Sequence, residues 1–301
     1  MKKTLVIGST ALDIIINLDK LPSTSEDIHV NAQTLSLGGC AFNVLNILTS
    51  FQIPVLFCSP VGTGMYGDFV TAELNKLGIE PFIRIPDKDS GCCYCFVEKN
   101  GERTFLSYHG VEYSFQKKWL ESINIEEFDS VYICGLEVEE PTGNEIISFL
   151  EDHKELSIYF APGPRITKID KEKMSRIFAL HPILHLNEEE ALSFTHTSDI
   201  KQAAILLSQE TKKPLIVTAG EQGSFVMEQE HFYHAAPVAA NVVDTIGAGD
   251  SHIGSIIACH KSGYSLCESA ANANKVSAKV VETKGALLPK ASFDSLSFFP
   301  L

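Results

Sequence analysis

The sequence predicts an α/β protein: a mostly parallel sheet covered by helices on both faces, with a small β-sheet set apart as a lid. Three observations carry this expectation. Short apolar runs of strand length recur along the chain with helix-period segments between them, the alternation of a parallel sheet whose crossovers are helices. Two regions, 12–37 and 91–108, break the alternation and read as strands with no helix between them. No repeat, low-complexity tract or linker divides the 301 residues, so the chain reads as one domain, residues 1–301, with lid strands inside those two regions.

Leu5–Ile7 opens the series as a continuous apolar run, the pattern of a strand buried on both faces. The basic start MKK followed by apolar residues resembles a leader, yet Asp13 interrupts the run and no small-residue cleavage site follows. Phe42–Phe51 and Asp68–Leu77 read as helices on either side of the strand Val55–Cys58. Within 91–108, the pair Asn100–Gly101 lies between apolar runs and signals a hairpin. Strands then follow at Val131–Ile133, Ile158–Phe160, Ile183–Leu186 and Leu215–Thr218, with helices at Asn144–His153, Glu188–Thr195 and Ile200–Thr211. The lid strands read as a small antiparallel sheet.

The charge balance narrows the function. With 24 Lys+Arg against 38 Asp+Glu, a net charge of −14, the chain is a poor partner for nucleic acid, where affinity comes from basic surface. No run is apolar enough over the length a membrane span needs, and the expected location is cytoplasmic. Of the 8 cysteines, only Cys92, Cys93 and Cys95 cluster. They lack a second pair at zinc spacing and read as buried thiols. His181 and His185 lie four apart without a HExxH context, which makes a weak metal pair.

Five loops could carry chemistry. GTGMYG, Gly62–Gly67, matches the dinucleotide pattern GxGxxG between a strand and a helix, with Glu80 near the acidic position. It sits in a later unit than that fingerprint usually occupies, and a plain glycine-rich turn reads equally well. GGCAFN, from Gly38, offers Gly38 and Gly39 for close backbone approach and Asn43 in the first turns of a helix. LNEEEALSF puts Asn187 and Glu190 at capping-box spacing, and the same side chains could face a phosphate–magnesium cluster. VTAGEQG places Thr218, Gly220 and Gly223 at the end of a strand, where ligands bind in parallel sheets. In DTIGAGDSHIGS, Gly247, Ala248 and Gly249 lead into a helix with Asp250 in its first turn. Bare backbone at a helix N-terminus binds anions, and a carboxylate beside it could align a hydroxyl for attack on phosphorus. A capped helix is the plainer alternative. No GxxxxGK[ST] is present, so this is no P-loop.

DTIGAGD with its following helix, preceded in order by GGCAFN, NEEEA and VTAGEQG, resembles the PfkB/ribokinase family of carbohydrate and nucleoside kinases, over Ile7 to Pro289. The resemblance implies a three-layer αβα sandwich with a β lid, ATP and Mg²⁺ as cofactors, and a sugar, sugar acid or nucleoside as substrate. It implies Asp250 as the base, and Gly247, Ala248 and Gly249 as the anion hole. Asp13, Gly38, Gly39 and Asn43 then grip the sugar, and Arg165 lies near the transferring phosphate. Asn187, Thr218, Gly220, Gly223 and Asn274 fall on the nucleotide side, with Glu190 linked to Mg²⁺ through water. Asp244, Ile246, Val280, Thr283 and Gly285 align with a monovalent-cation site, K⁺ in many members. Arg103 and Arg165 are the basic residues to examine for an acidic substrate. Relatives commonly form homodimers through the lid.

Departures from the family pattern are specific. Gly64 stands where an aspartate is usual, which explains the dinucleotide match. His252 replaces an aromatic residue, and Pro289 offers no side-chain donor to a monovalent ion. Two other functions stay in view: a nicotinamide-dependent oxidoreductase using Gly62–Gly67, and a non-catalytic sugar sensor on the kinase scaffold.

Overall fold

The computed structural model describes residues 1–298. Its strands in chain order begin with β1 (Lys3–Ile7), β2 (Ala11–Leu18), β3 (Ala32–Gly38), β4 (Val55–Cys58), β5 (Pro60–Gly62), β6 (Ile83–Ile85) and β7 (Cys92–Glu98). They continue with β8 (Arg103–Tyr108), β9 (Phe128–Cys134), β10 (Ser157–Ala161), β11 (Ile183–Asn187), β12 (Leu215–Thr218), β13 (Ser224–Glu228) and β14 (His231–Ala235). The main sheet has the order β14-β13-β12-β11-β10-β9-β1-β4. Its pairings from β4 across to β12 are all parallel, and β13 and β14 add an antiparallel edge.

Side-chain alternation sends each central strand to two cores. From β1 and β9, Leu5, Ile7, Val131 and Ile133 join one apolar cluster, whereas Val6, Tyr132 and Cys134 join the other. Helices Gly143–Asp152, Lys171–Ala179 and Ile200–Thr211 cover the first face through Ile146, Met174 and Ala203. Helices Cys40–Ser50, Ala248–Lys261 and Leu266–Val281 cover the second through Phe42, Ile253 and Ala270. This is the expected three-layer sandwich. Among the described residues, no helix is long and apolar enough to cross a membrane.

The small sheet runs β3-β2-β7-β8 and differs from the expectation in one respect. β2–β3 and β7–β8 are antiparallel, but the inner pair β2–β7 is parallel. The two hairpins are separated in the chain by helices Cys40–Ser50 and Met65–Lys76, and so long a connection lets their inner strands align in one direction. The Asn100–Gly101 turn joins β7 to β8 as expected. Cys92 and Cys95 are buried free thiols on opposite faces of β7, and Cys93 is half-buried.

Candidate active site

The candidate residues gather where the C-terminal ends of β1 and β9 to β12 meet the start of helix Ala248–Lys261. Asn43, in the first turn of helix Cys40–Ser50, donates from Nδ2 to Asp250 Oδ2 at 2.8 Å across 207 positions of sequence. Burial pushes the Asp250 carboxyl up to about 6, and the nearby charge of Glu137 adds to this, while hydrogen bonds from Asn43 and Cys40 hold it down. Such a group is ionised at neutral pH yet basic enough to accept a proton.

Asp13 sits on β2 opposite Ser36, and its carboxylate packs onto the backbone of Gly38. A Cβ on Gly38 would lie 2.0 Å from Asp13 Oδ2, so only glycine permits this approach. Burial raises the Asp13 carboxyl to about 6. Asn43 Oδ1 and Thr10 Oγ1 are buried with no protein partner among the described residues. Buried polar atoms in native proteins are normally satisfied, and a hydroxyl-rich ligand would satisfy these.

Glu137 was not a sequence candidate. It is buried in the turn after β9, where Oε1 accepts from Ser9 N at 2.7 Å and Oε2 from Cys134 Sγ at 2.6 Å. Burial raises its carboxyl against these hydrogen bonds. Its neighbours Glu139 and Glu140 make GLEVEE look like a solvated acidic run. The available signal was its place in the turn directly after a buried strand.

Helix Ala248–Lys261 starts at Gly247 with φ 74° and without any side-chain cap. As at any helix start, its first N–H groups have no intrahelical partners, and Ala248 N donates to Thr245 O at 3.3 Å. Gly247 packs on Ala286, with 2.6 Å between a Cβ placed there and the Ala286 Cβ, whereas a Cβ on Gly249 would meet nothing within 4 Å. The Gly249 side of the turn is thus open.

Of the residues expected to flank the nucleotide, Asn187 and Thr218 are register partners at the ends of β11 and β12. Asn187 and Glu190 form a full capping box: Glu190 N donates to Asn187 Oδ1 at 2.8 Å and Asn187 N to Glu190 Oε2 at 2.9 Å. Burial raises the Glu190 carboxyl. Gly220 and Gly223 form the turn between β12 and β13. Arg165 lies in the turn after β10, whose Gly163 approaches Glu190, and it pairs with Glu139 at 3.1 Å.

Asn274, expected on the nucleotide side, has its amide engaged within the protein instead. Its Nδ2 donates to Ala235 O and Ala236 O, at 3.1 and 3.0 Å, and its Oδ1 accepts from Ser224 Oγ and His252 Nε2, both at 3.0 Å. The amide's hydrogen-bonding capacity is spent inside the protein. It braces the chain after β14.

The His252 substitution completes that network. Since Asn274 Oδ1 only accepts, His252 Nε2 carries a proton and its Nδ1 accepts from His185 Nε2 at 2.9 Å. Both rings are buried and neutral; burial pushes His252 down to about 4 and His185 well below its ordinary value. His181 instead faces the Thr211 carbonyl, so the His181/His185 pair does not converge. Because the unfolded chain takes up these protons and the folded one does not, stability is expected to fall as pH drops from about 6.5 towards 4, by about 1.4 kcal/mol per pH unit for each histidine at most. Urea midpoints at pH 7 and 5 test this. A His185→Leu/His252→Phe double variant should lose less than the native chain; an equal loss would rule the histidines out.

Asp244 accepts from Ile246 N at 2.9 Å, Gly285 N at 2.7 Å and Arg103 NH1 at 2.6 Å. Burial alone would raise its carboxyl; the Arg103 guanidinium and the two N–H groups outweigh burial and hold it below the usual range. Val280 O accepts from both the N–H and the hydroxyl of Thr283. Of the five residues expected to form a cation site, Asp244, Ile246 and Gly285 are joined in one hydrogen-bonded group and Val280 and Thr283 in another, and Arg103 already pairs with the Asp244 carboxylate.

The sequence profile described as pfkB family carbohydrate kinase matches residues 1–292. The chain belongs to the pfkB family of carbohydrate kinases. It is 30% identical over 288 residues to YegV, an uncharacterized sugar kinase of Escherichia coli (strain K12), covering 94% of this chain and 90% of that one. Among solved structures, the ribokinase of Thermotoga maritima superposes with a TM-score of 0.84 at 21% identity, covering 98% of this chain and 99% of that one. An E. coli protein assigned as ribokinase II, in complex with ATP and Mg²⁺, gives 0.81 at 20% identity over 98% of each chain.

In this carbohydrate kinase the Gly62–Gly67 loop is no dinucleotide site. β5, which leads into it, pairs only with β6 outside the main sheet. The N-terminus of helix Met65–Lys76 is already occupied: Asp89 accepts from Gly67 N at 2.7 Å and Tyr66 N at 3.2 Å. A carboxylate seated there excludes a pyrophosphate by charge and by space. Asp89 also abuts Gly64, supplying from another part of the chain a carboxylate at the loop that lacks its usual aspartate.

Proposed function

We propose that this kinase is ATP- and Mg²⁺-dependent and phosphorylates a primary hydroxyl of a sugar, sugar acid or nucleoside, acting in the cytoplasm. The carrying observation is Asp250: a carboxyl raised to about 6, held 2.8 Å from Asn43, at the uncapped start of a helix. Asp250 accepts the proton of the substrate hydroxyl as its oxygen attacks the γ-phosphorus and the bond to the ADP oxygen breaks. The backbone N–H groups of Gly247, Ala248 and Gly249 meet the charge on the transferring group. Asp13, Gly38, Gly39, Asn43 and Glu137 form the polar shell that orients the substrate, and Arg165 would act at the phosphate.

Asn187, Thr218, Gly220 and Gly223 flank the nucleotide. The acceptor-only carboxylate of Glu190 suits a hard cation held through water, and Mg²⁺ would screen the phosphate oxygens when bound. The structurally similar E. coli protein in complex with ATP and Mg²⁺ supports the use of these two cofactors. Leu35, Leu106 and Tyr108 form an exposed apolar group on one face of the small sheet, which supports a homodimer through it. Sedimentation as a monomer at micromolar concentration would exclude that dimer.

The test is ADP release over a panel of ribose, fructose and its phosphates, 2-keto-3-deoxygluconate and pseudouridine. ATP turnover that no panel member stimulates would favour the sugar sensor instead. With the correct substrate, kcat/KM is expected to fall about tenfold per pH unit below pH 6, because Asp250 must be ionised to act. A profile flat down to pH 5 would remove Asp250 as the base.

A further inference from the structure

The Asp244 carboxylate is 2% exposed at its side chain and joins two walls of one turn. Through Ile246 N it holds the backbone leading into Gly247, and through Gly285 N it holds the loop whose Ala286 packs on Gly247. A buried carboxylate with this task needs a compensating positive charge. Arg103 supplies it from β8, 141 residues away in sequence, with its own side chain only 20% exposed.

The register shows what Arg103 is attached to. Arg103 pairs with Val97, and Val97 with Asn17; Asp13 lies four residues earlier on β2. In a strand that spacing keeps one face. One face of the small sheet therefore carries both Asp13, on the substrate side, and Arg103, on the Asp244 side.

The expected monovalent cation does not fit while Arg103 is in place. A guanidinium already neutralises the only carboxylate of the set, and a second cation beside it would be repelled. The Thr283 hydroxyl is turned to Val280 O, and Pro289 adds no side-chain donor.

Resting on the reading of Gly247–Gly249 as the anion hole, we propose that Arg103 is a positioning residue for phosphoryl transfer. Its guanidinium is a built-in counter-ion that stands in for a bound monovalent cation, fixes the anion-hole turn through Asp244, and fastens that turn to the sheet carrying Asp13.

The experiment compares the full chain with Arg103→Ala and Arg103→Lys in potassium, sodium or tetramethylammonium chloride at equal ionic strength. Native kcat and melting temperature should be the same in all three salts. Arg103→Ala should lose kcat by about 100-fold in tetramethylammonium, with a smaller change in sugar KM. It should recover on adding potassium or low guanidinium chloride, and gain a potassium-specific rise in melting temperature. Arg103→Lys should keep most activity without potassium. A native enzyme activated or stabilised specifically by potassium would overturn the proposal. So would Arg103→Ala with unchanged kcat, or with a loss that no cation restores. The melting series needs no turnover, so it decides the role of Arg103 even if no panel substrate is phosphorylated, the result that would count against the kinase reading itself.

Discussion

Asp250→Asn is expected to fold, to bind ATP and sugar, and to lose turnover by about 10³-fold or more. The amide keeps the shape of the carboxylate but cannot accept a proton at neutral pH. Its neighbours remain: Asn43 at 2.8 Å, the Cys40 thiol, and the buried Glu137. The stability of this variant separates catalysis from folding. Burial raises the Asp250 carboxyl from its ordinary 3.8 to about 6. An acid whose pKa is higher in the folded state costs stability when ionised at pH 7, and that cost fades as pH falls through 6 towards 4. Removing the charge should therefore leave the melting temperature unchanged or higher at pH 7. Turnover within tenfold of the native enzyme, measured by coupled ADP release at saturating ATP, would sink the assignment of the base.

The sheet and its two layers were legible because apolar runs and helix periods are local properties, and the strands Val55–Cys58 and Leu215–Thr218 have the predicted limits. The β13–β14 hairpin was not legible. Its turn uses Gln229 and Glu230 with φ of 48° and 66°, a conformation that sequence normally announces with asparagine or glycine. Helix Leu266–Val281 was missed despite a readable signal, the capping box of Ser265 and Glu268. At the site, Asn43, Asp244 and Asp250 could be singled out because they stand beside glycine-rich helix entries with an evident backbone purpose, whereas Asp13, on β2, was carried only by the family resemblance. Asn274 was not: it sits inside a helix, and only tertiary partners show that its amide serves Ala235, Ala236, Ser224 and His252. Arg103 was visible as a basic residue, but its partner lies 141 positions away, a distance no local pattern spans.

Gly247 and Gly249 should separate the two jobs of the bare turn. At Gly247, φ is 74° and a Cβ would crowd Ala286. Gly247→Val should lose both stability, by about 1–2 kcal/mol from backbone conformation alone, and activity. That result would not distinguish a misfolded turn from a blocked site. Gly249 does distinguish them. It lies inside the helix, has ordinary backbone angles, and an added methyl group would meet nothing within 4 Å beyond its chain neighbours and its own helix backbone. Gly249→Ala should therefore melt at or above the native temperature, since alanine favours the helix over glycine by about 1 kcal/mol. Yet if the proposed anion hole is right, its methyl group would enter the space of the transferring phosphoryl group. The expected outcome is a loss of kcat of about 100-fold with sugar KM little changed, in a protein no less stable than its parent. Native kcat in Gly249→Ala would mean that the open side of the turn is not where phosphorus is transferred, and the anion hole would have to be sought elsewhere.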